Sequence, residues 1–273
     1  MYFDSYIVSD TKFAKSIILT DISNFDNKKF SLSSLKQKAF TLAEVLITLS
    51  IIGVVAAMTV PTLMSNTSNQ QHVTALKKAY STLSNAMKMM PVNLGCGSDY
   101  ECMMSALPTQ TDVHRGNSTS GILSQDEAFL YGLSEQFKAK YNPEWRSWHD
   151  SGEIGSFSNG TFTTQDGMVF GLHYISTWYS SGGMSAEMQV DTNGFDKGPN
   201  KLGKDQHIFE VVLKEINGIA PGTVVPAGSS QYAQLTNSST GYWKNASFNQ
   251  SYNYLYTGKI LETGKIDEAD FKK

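Results

Sequence analysis

Residues 40–60, FTLAEVLITLSIIGVVAAMTV, hold a single charged side chain in 21 positions, and that residue, Glu44, stands near the start of the segment. At about 1.5 Å of rise per residue the segment makes roughly 32 Å of helix, enough to cross a hydrocarbon core of about 30 Å. A chain with such a segment folds around a membrane span. Lys28, Lys29, Lys36 and Lys38 precede the span, and no Lys or Arg follows it before Lys77. The positive-inside rule then puts the N-terminus in the cytoplasm and the bulk of the chain outside. A carboxylate in hydrocarbon costs several kcal/mol, so Glu44 needs a partner, a function, or a route to the headgroups at the membrane edge.

The apolar pattern does not end with the span. Beyond Pro61, apolar residues recur at Val73, Leu76, Tyr80, Leu83, Met87 and Met90, spaced by three and four, as far as Pro91. That periodicity predicts an amphipathic helix continuing the span, about 51 residues and roughly 75 Å in all, which Pro91 stops. The stripe is expected to pack on the chain's own globular domain. A secretory signal would place a small-residue cleavage site after the apolar run, and the continuing helix argues against one.

The stretch KAFTLAEVLITLSIIGVVAAMTVPTL resembles the N-terminal segment of the type IV pilin superfamily, which includes type IV pilins and the pseudopilins of type II secretion. In that family a prepilin peptidase removes a basic leader just before a Phe, the new N-terminus is methylated, and a Glu four residues on is retained. The resemblance implies a cut between Ala39 and Phe40, with Phe40 as the new first residue and Glu44 as the family's glutamate. Gly53 and Pro61 fall where the family places helix-loosening residues; both are also common in membrane helices generally. Two features depart from the pattern. Ala39 stands where the family usually has Gly, and the leader of 39 residues is long, which points to a translation start nearer Leu32 or Leu35.

The resemblance supplies a partner for Glu44. Cleavage creates an ammonium on Phe40, and in a helical fibre the Glu44 of one subunit pairs with that group on its neighbour, setting axial register. Breaking such a pair in a low-dielectric setting costs about 3–5 kcal/mol. Pro61, lacking an N–H, lets the helix bend or locally melt on packing into a fibre.

The net charge of −3 becomes more negative when the first 39 residues, with six Lys against four Asp, are removed. No clustered basic face appears, so a nucleic-acid partner is not favoured. The two cysteines, Cys96 and Cys102 in CGSDYEC, read first as a local disulfide in an oxidising compartment. Free thiols, or half of a zinc site with no His beside it, are the weaker readings. No G-x-S-x-G, H-E-x-x-H, Walker loop or dinucleotide fingerprint is present, and the five His are scattered, so an enzyme is not expected.

Beyond Pro91 the pattern predicts a short helix in SQDEAFLYGLSEQFKAKY with Ser124 and Glu127 as a capping box. It also predicts a hairpin turning at Asp166-Gly167, and strands at AEMQVD and HIFEVVL. The expected fold class is α+β: a long N-terminal helix packed on an antiparallel sheet of about four strands, pilin-like. The domains are a cytoplasmic leader over 1–39, the transmembrane and assembly half of the helix over 40–61, and an extracytoplasmic globular domain over 62–273.

Two polar stretches remain. In VDTNGFDKGPNKLGKD, Asp191, Asn193, Asp196 and Asp205 offer oxygen atoms on a turning backbone. Type II pseudopilins often carry a calcium-stabilised loop in this region, so the resemblance implies calcium, while Asp and Asn bonding their own backbone in plain turns is the alternative. The C-terminal NSSTGYWKNASFNQSYNYLYTGKI, rich in Asn, Ser and Tyr, covers a sheet edge or binds glycans or a partner.

The expected function is a structural subunit of a type IV pilus or a type II secretion pseudopilus, stored in the inner membrane as a single-pass precursor and extracted into a fibre. Its implied partners are copies of itself or other pilins, a prepilin peptidase, an inner-membrane platform protein, an assembly ATPase and, before assembly, membrane lipid. The alternative is a membrane-anchored adhesion or glycan-binding module that never polymerises.

Overall fold

A computed structural model describes residues 40–108, 123–144, 160–177, 181–246 and 254–271. The chain divides into two compact units, Met1–Ala56 and Ala57–Lys273. One helix, α1 (Leu42–Asn93), runs through both.

Within the first unit the described residues are the start of α1. Leu42–Pro61 is apolar enough to cross a membrane, and none of the window is buried.

In the second unit, α1 buries Val73, Leu76, Ala79, Leu83, Met87 and Met90 in the main core. This is the stripe the sequence spacing predicts. Tyr80 is half-buried and stacks on Phe209, with ring centroids 6.0 Å apart. Each fully buried Leu or Met side chain contributes about 1.5–3 kcal/mol relative to exposure.

Pro91 does not stop the helix, which continues to Asn93. A proline in the last turn removes one donor, the N–H that would have met the carbonyl of Met87. Here the Tyr100 hydroxyl donates to the Met87 carbonyl at 3.1 Å and fills that place. The polypeptide then turns into α2 (Tyr100–Ser105), whose N-cap Asp99 accepts from the N–H groups of Glu101 and Cys102. The Cys96–Cys102 disulfide closes this turn, with Cα atoms 5.6 Å apart.

α3 (Gln125–Gln136) begins with the expected capping box. The Ser124 hydroxyl accepts from Glu127 N, and the Glu127 carboxylate accepts from Ser124 N at 2.9 Å.

Six antiparallel strands follow, in sequential order across one sheet: β1 (Lys140–Asn142), β2 (Thr161–Thr163), β3 (Val169–Ser176), β4 (Met184–Asp191), β5 (Gln206–Lys214) and β6 (Val224–Pro226). The α+β arrangement is as expected, but with six strands instead of about four. β1 and β6 are three residues each, too short to leave an alternation pattern. The β2–β3 hairpin turns at Asp166-Gly167, where Gly167 has φ 88°, and Asp166 pairs with Lys78 of α1 at 2.7 Å.

The two faces of the sheet differ. Phe170, Leu172, Ala186, Met188, Val190, Phe209, Val211 and Leu213 join the same core as the α1 stripe. On the other face of β5, Ile208 packs with Leu202 and Ala227, and Val212 packs with Ile216, Ile219, Val225 and Leu235. A short helix, α4 (Ser230–Thr236), lies over this face, and its Tyr232 packs into both small clusters. α5 (Tyr256–Thr263) packs on β5 and β6.

Candidate functional site

The helix start is where the sequence concentrates its candidate functional residues. Phe40 is 83% exposed. Thr41 caps the helix: its hydroxyl accepts from Glu44 N at 3.2 Å, while its own N–H and hydroxyl donate to Glu44 Oε2 at 2.9 and 3.0 Å. Thr-x-x-Glu is thus a reciprocal capping box that satisfies two donors left open at the helix start. The Glu44 carboxylate also stands at the positive end of the helix dipole. Its Oε1 has no hydrogen bond among the described residues and remains open to a donor from another molecule.

The Thr41 contribution is absent from the sequence expectations, although TLAE carries the same signature that marks Ser124 and Glu127. Ala39 and the leader lie outside the described residues. Gly53 and Pro61 are exposed and inside the continuous α1, and a Cβ at Gly53 would meet nothing within 4 Å.

The polar loop between β4 and β5 is built from its own backbone. Asp191 is fully buried; its Oδ1 accepts from Asn193 N at 3.2 Å and Gly194 N at 2.8 Å, and its Oδ2 accepts from Gln206 Nε2 at 3.3 Å. Asp205, also fully buried, accepts from Asn200 N at 2.8 Å and Lys201 N at 2.7 Å. Burial, and then the charge of Asp205, push the Asp191 carboxyl up to about 6. Asp196 is exposed, and Asn193 donates through Nδ2 to the Gly198 carbonyl at 3.0 Å. Among the described residues no three His, Cys, Asp or Glu side chains gather into a set that could hold a metal. The hydrogen bonds of Asp191 and Asp205 are those of side chains that shape turns.

The described part of the C-terminal stretch is held by one acid. Glu262 accepts from Tyr242 Oη, from Trp243 Nε1 at 2.6 Å and from Lys244 Nζ at 2.6 Å. Residues 247–253 of that stretch lie outside the described residues.

The polar face of β4 had no signal beyond its alternation. His173 Nδ1 lies 3.0 Å from Glu187 Oε1, Gln189 Nε2 donates to the same oxygen at 3.2 Å, and the Ser185 hydroxyl donates to Glu210 Oε2 at 2.7 Å. Burial, with the neighbouring Glu187 charge second, pushes Glu210 up to about 8.

Residues 34–60 match the family model of the prokaryotic N-terminal methylation motif. That is the prepilin motif of type IV pilins and pseudopilins, and its span takes in the Thr41–Glu44 cap. The chain thus carries the N-terminus of a type IV pilin-like precursor, of the kind a prepilin peptidase processes. No curated protein and no solved structure matches the chain. The motif, one apolar helix and the disulfide together are consistent with a membrane-anchored, single-pass structural subunit.

Proposed function

We propose that the chain is cut between Ala39 and Phe40, methylated on the new Phe40 amine, and assembled through its helix into a type IV pilus or a type II secretion pseudopilus. The observation that carries this reading is the match of residues 34–60 to the N-terminal methylation motif. The geometry supports it in two ways. Leu42–Pro61 is an apolar helix with no residue buried by the described part of the chain. A surface of this kind is satisfied first by lipid and then by like helices in a fibre core, where close packing replaces lipid contacts.

Glu44 works at two levels in this scheme. Oε2 completes the cap with Thr41, and Oε1 accepts from the Phe40 ammonium of a neighbouring subunit. The cap holds the carboxylate in one rotamer, which lowers the cost of ordering it for the intermolecular pair. Partners follow from the scheme: other pilin-type subunits, the peptidase, and the platform protein and ATPase that drive extraction.

N-terminal sequencing and intact mass of the protein from its native host test this directly. The expected chain begins with N-methyl-Phe40 and is recovered in sheared surface or periplasmic fibre fractions. A mature chain that begins elsewhere, or that stays wholly with membranes, overturns it. Glu44→Ala leaves an unpaired ammonium in each contact, a loss of about 3–5 kcal/mol per subunit, and is expected to abolish sheared material while leaving processing intact.

A further inference from the structure

Glu187 and Glu210 face each other directly across the β4–β5 ladder. In an antiparallel pair, residues so opposed have Cβ atoms about 4.5–5.5 Å apart, and like charges there repel. Water does not relieve this repulsion, because Glu210 is 4% exposed and sits between Ile208 and Val212, each of which anchors an apolar cluster. Tyr232 of α4 packs into both clusters and so bridges the position of Glu210 from above.

We propose that Glu187 and Glu210 form a proton-binding site that keeps one carboxyl neutral while α4 is seated, and that loss of this proton frees α4 from the sheet. This inference does not depend on the filament reading.

The groups facing the pair are few. From β3 come His173, 3.0 Å from Glu187 Oε1, and Tyr174, the cross-strand neighbour of Glu187. From β4 come the neutral donors Ser185, to Glu210 Oε2, and Gln189, to Glu187 Oε1. From α4 and the segment before α5 come Tyr232 and Tyr254, whose rings meet edge-on at 6.2 Å. Among the described residues, Lys214 of β5 pairs with Glu101 and Lys259 of α5 with Asp270. His173 lies against Glu187 and not against Glu210. The second charge falls on Glu210, where burial makes it costly.

The distribution of hydrogen bonds fits a neutral Glu210. Glu187 Oε1 has two nitrogen contacts, while Glu210 receives one hydroxyl. Glu210 is pushed up to about 8 from an ordinary 4.5. The sign follows. A carboxyl raised in the folded state is protonated there at pH values where the unseated state has already lost the proton. Seating of α4 is therefore fully supported below about 4.5, weakens as pH rises, and loses this support above about 8. Because one proton separates the two states, the opening equilibrium is expected to rise about tenfold for each pH unit within that window.

Amide hydrogen exchange of the full chain in detergent micelles, corrected for intrinsic rates, tests this between pH 5 and 9. Amides of Ser230–Thr236 are expected to lose protection steeply with rising pH while those of β4 and β5 keep theirs. In Glu210→Gln the α4 protection is expected to be pH-independent at the low-pH level. Should that variant fail to fold, Glu187→Gln serves: with the neighbouring charge removed Glu210 is raised less, so the loss of α4 protection is smaller and levels off at lower pH. Infrared spectroscopy of the wild type supplies a readout independent of folding, a protonated carboxyl band still present at pH 7.5, where Asp191 is already ionised, that bleaches by pH 9 and is absent at pH 7.5 from Glu210→Gln. A flat α4 profile in the wild type, an unchanged step in Glu210→Gln, or no protonated carboxyl band near neutral pH overturns the proposal.

Discussion

Two halves of one helix teach opposite lessons about apolar sequence. The first, Leu42–Pro61, carries apolar residues on every side and buries none of them among the described residues. The second alternates, placing Val73, Leu76, Leu83, Met87 and Met90 in the core while Lys77, Lys78 and Lys88 face outward. Apolar residues all round a helix imply an environment that is apolar all round, whereas a stripe implies a protein surface on one side. The same backbone thus serves two solvents, and hydropathy alone separates them.

The contrast can be broken most sharply by paired truncations. Leu83→Ala opens a cavity in a fully buried site and is expected to destabilise the globular part by about 3 kcal/mol, measured as a lowered urea midpoint in micelles. Leu49→Ala, on the exposed half, is expected to leave that midpoint unchanged. Equal effects from the two would mean the halves share one environment.

A smaller effect acts at the far end of the second half. Reducing Cys96–Cys102, with a sequence separation of 6, releases a short loop and is expected to cost about 2 kcal/mol. The loss would appear in the urea midpoint and in faster exchange of the last turn of α1, with no change over Leu42–Pro61. The smallest effect belongs to the first half. Thr41→Ala removes the reciprocal cap and is expected to cost about 1 kcal/mol locally, seen as lost amide protection in the first turn only. Thr41→Ser restores the hydroxyl and is expected to recover it. A change in the urea midpoint for Thr41→Ala would couple the two halves, contrary to the comparison.

The long helix was legible because its signal is repeated over dozens of residues, and so was the capping box at Ser124 and Glu127, which is purely local. The hairpin at Asp166-Gly167 was legible for the same reason. The three-residue strands β1 and β6 left no pattern, and their pairing is imposed by β2 and β5. At Pro91 the local rule failed because the missing donor is supplied from Tyr100, a contact no window of sequence displays. Along β4, Ser185, Glu187, Gln189 and Asp191 alternate with apolar residues. Ser185, Gln189 and Asp191 are nonetheless buried and Glu187 is half-buried. Burial of a polar face is a tertiary fact, so the Glu187–Glu210 opposition was invisible even though both strands were expected. The prepilin motif is legible in residues 34–60, and the Thr41–Glu44 cap carries the same local signature as Ser124 and Glu127.

The phenol of Tyr100 also binds two distant choices together. A Cβ at Gly222 would lie 1.8 Å from that hydroxyl, so the ring is wedged beside a backbone that tolerates no side chain there. Proline at 91 is acceptable because the phenol is held in reach of Met87, and the phenol is held because position 222 is bare. Drift at any one of the three alters the constraint on the other two, so residues 91, 100 and 222 are expected to change as a set and not one at a time.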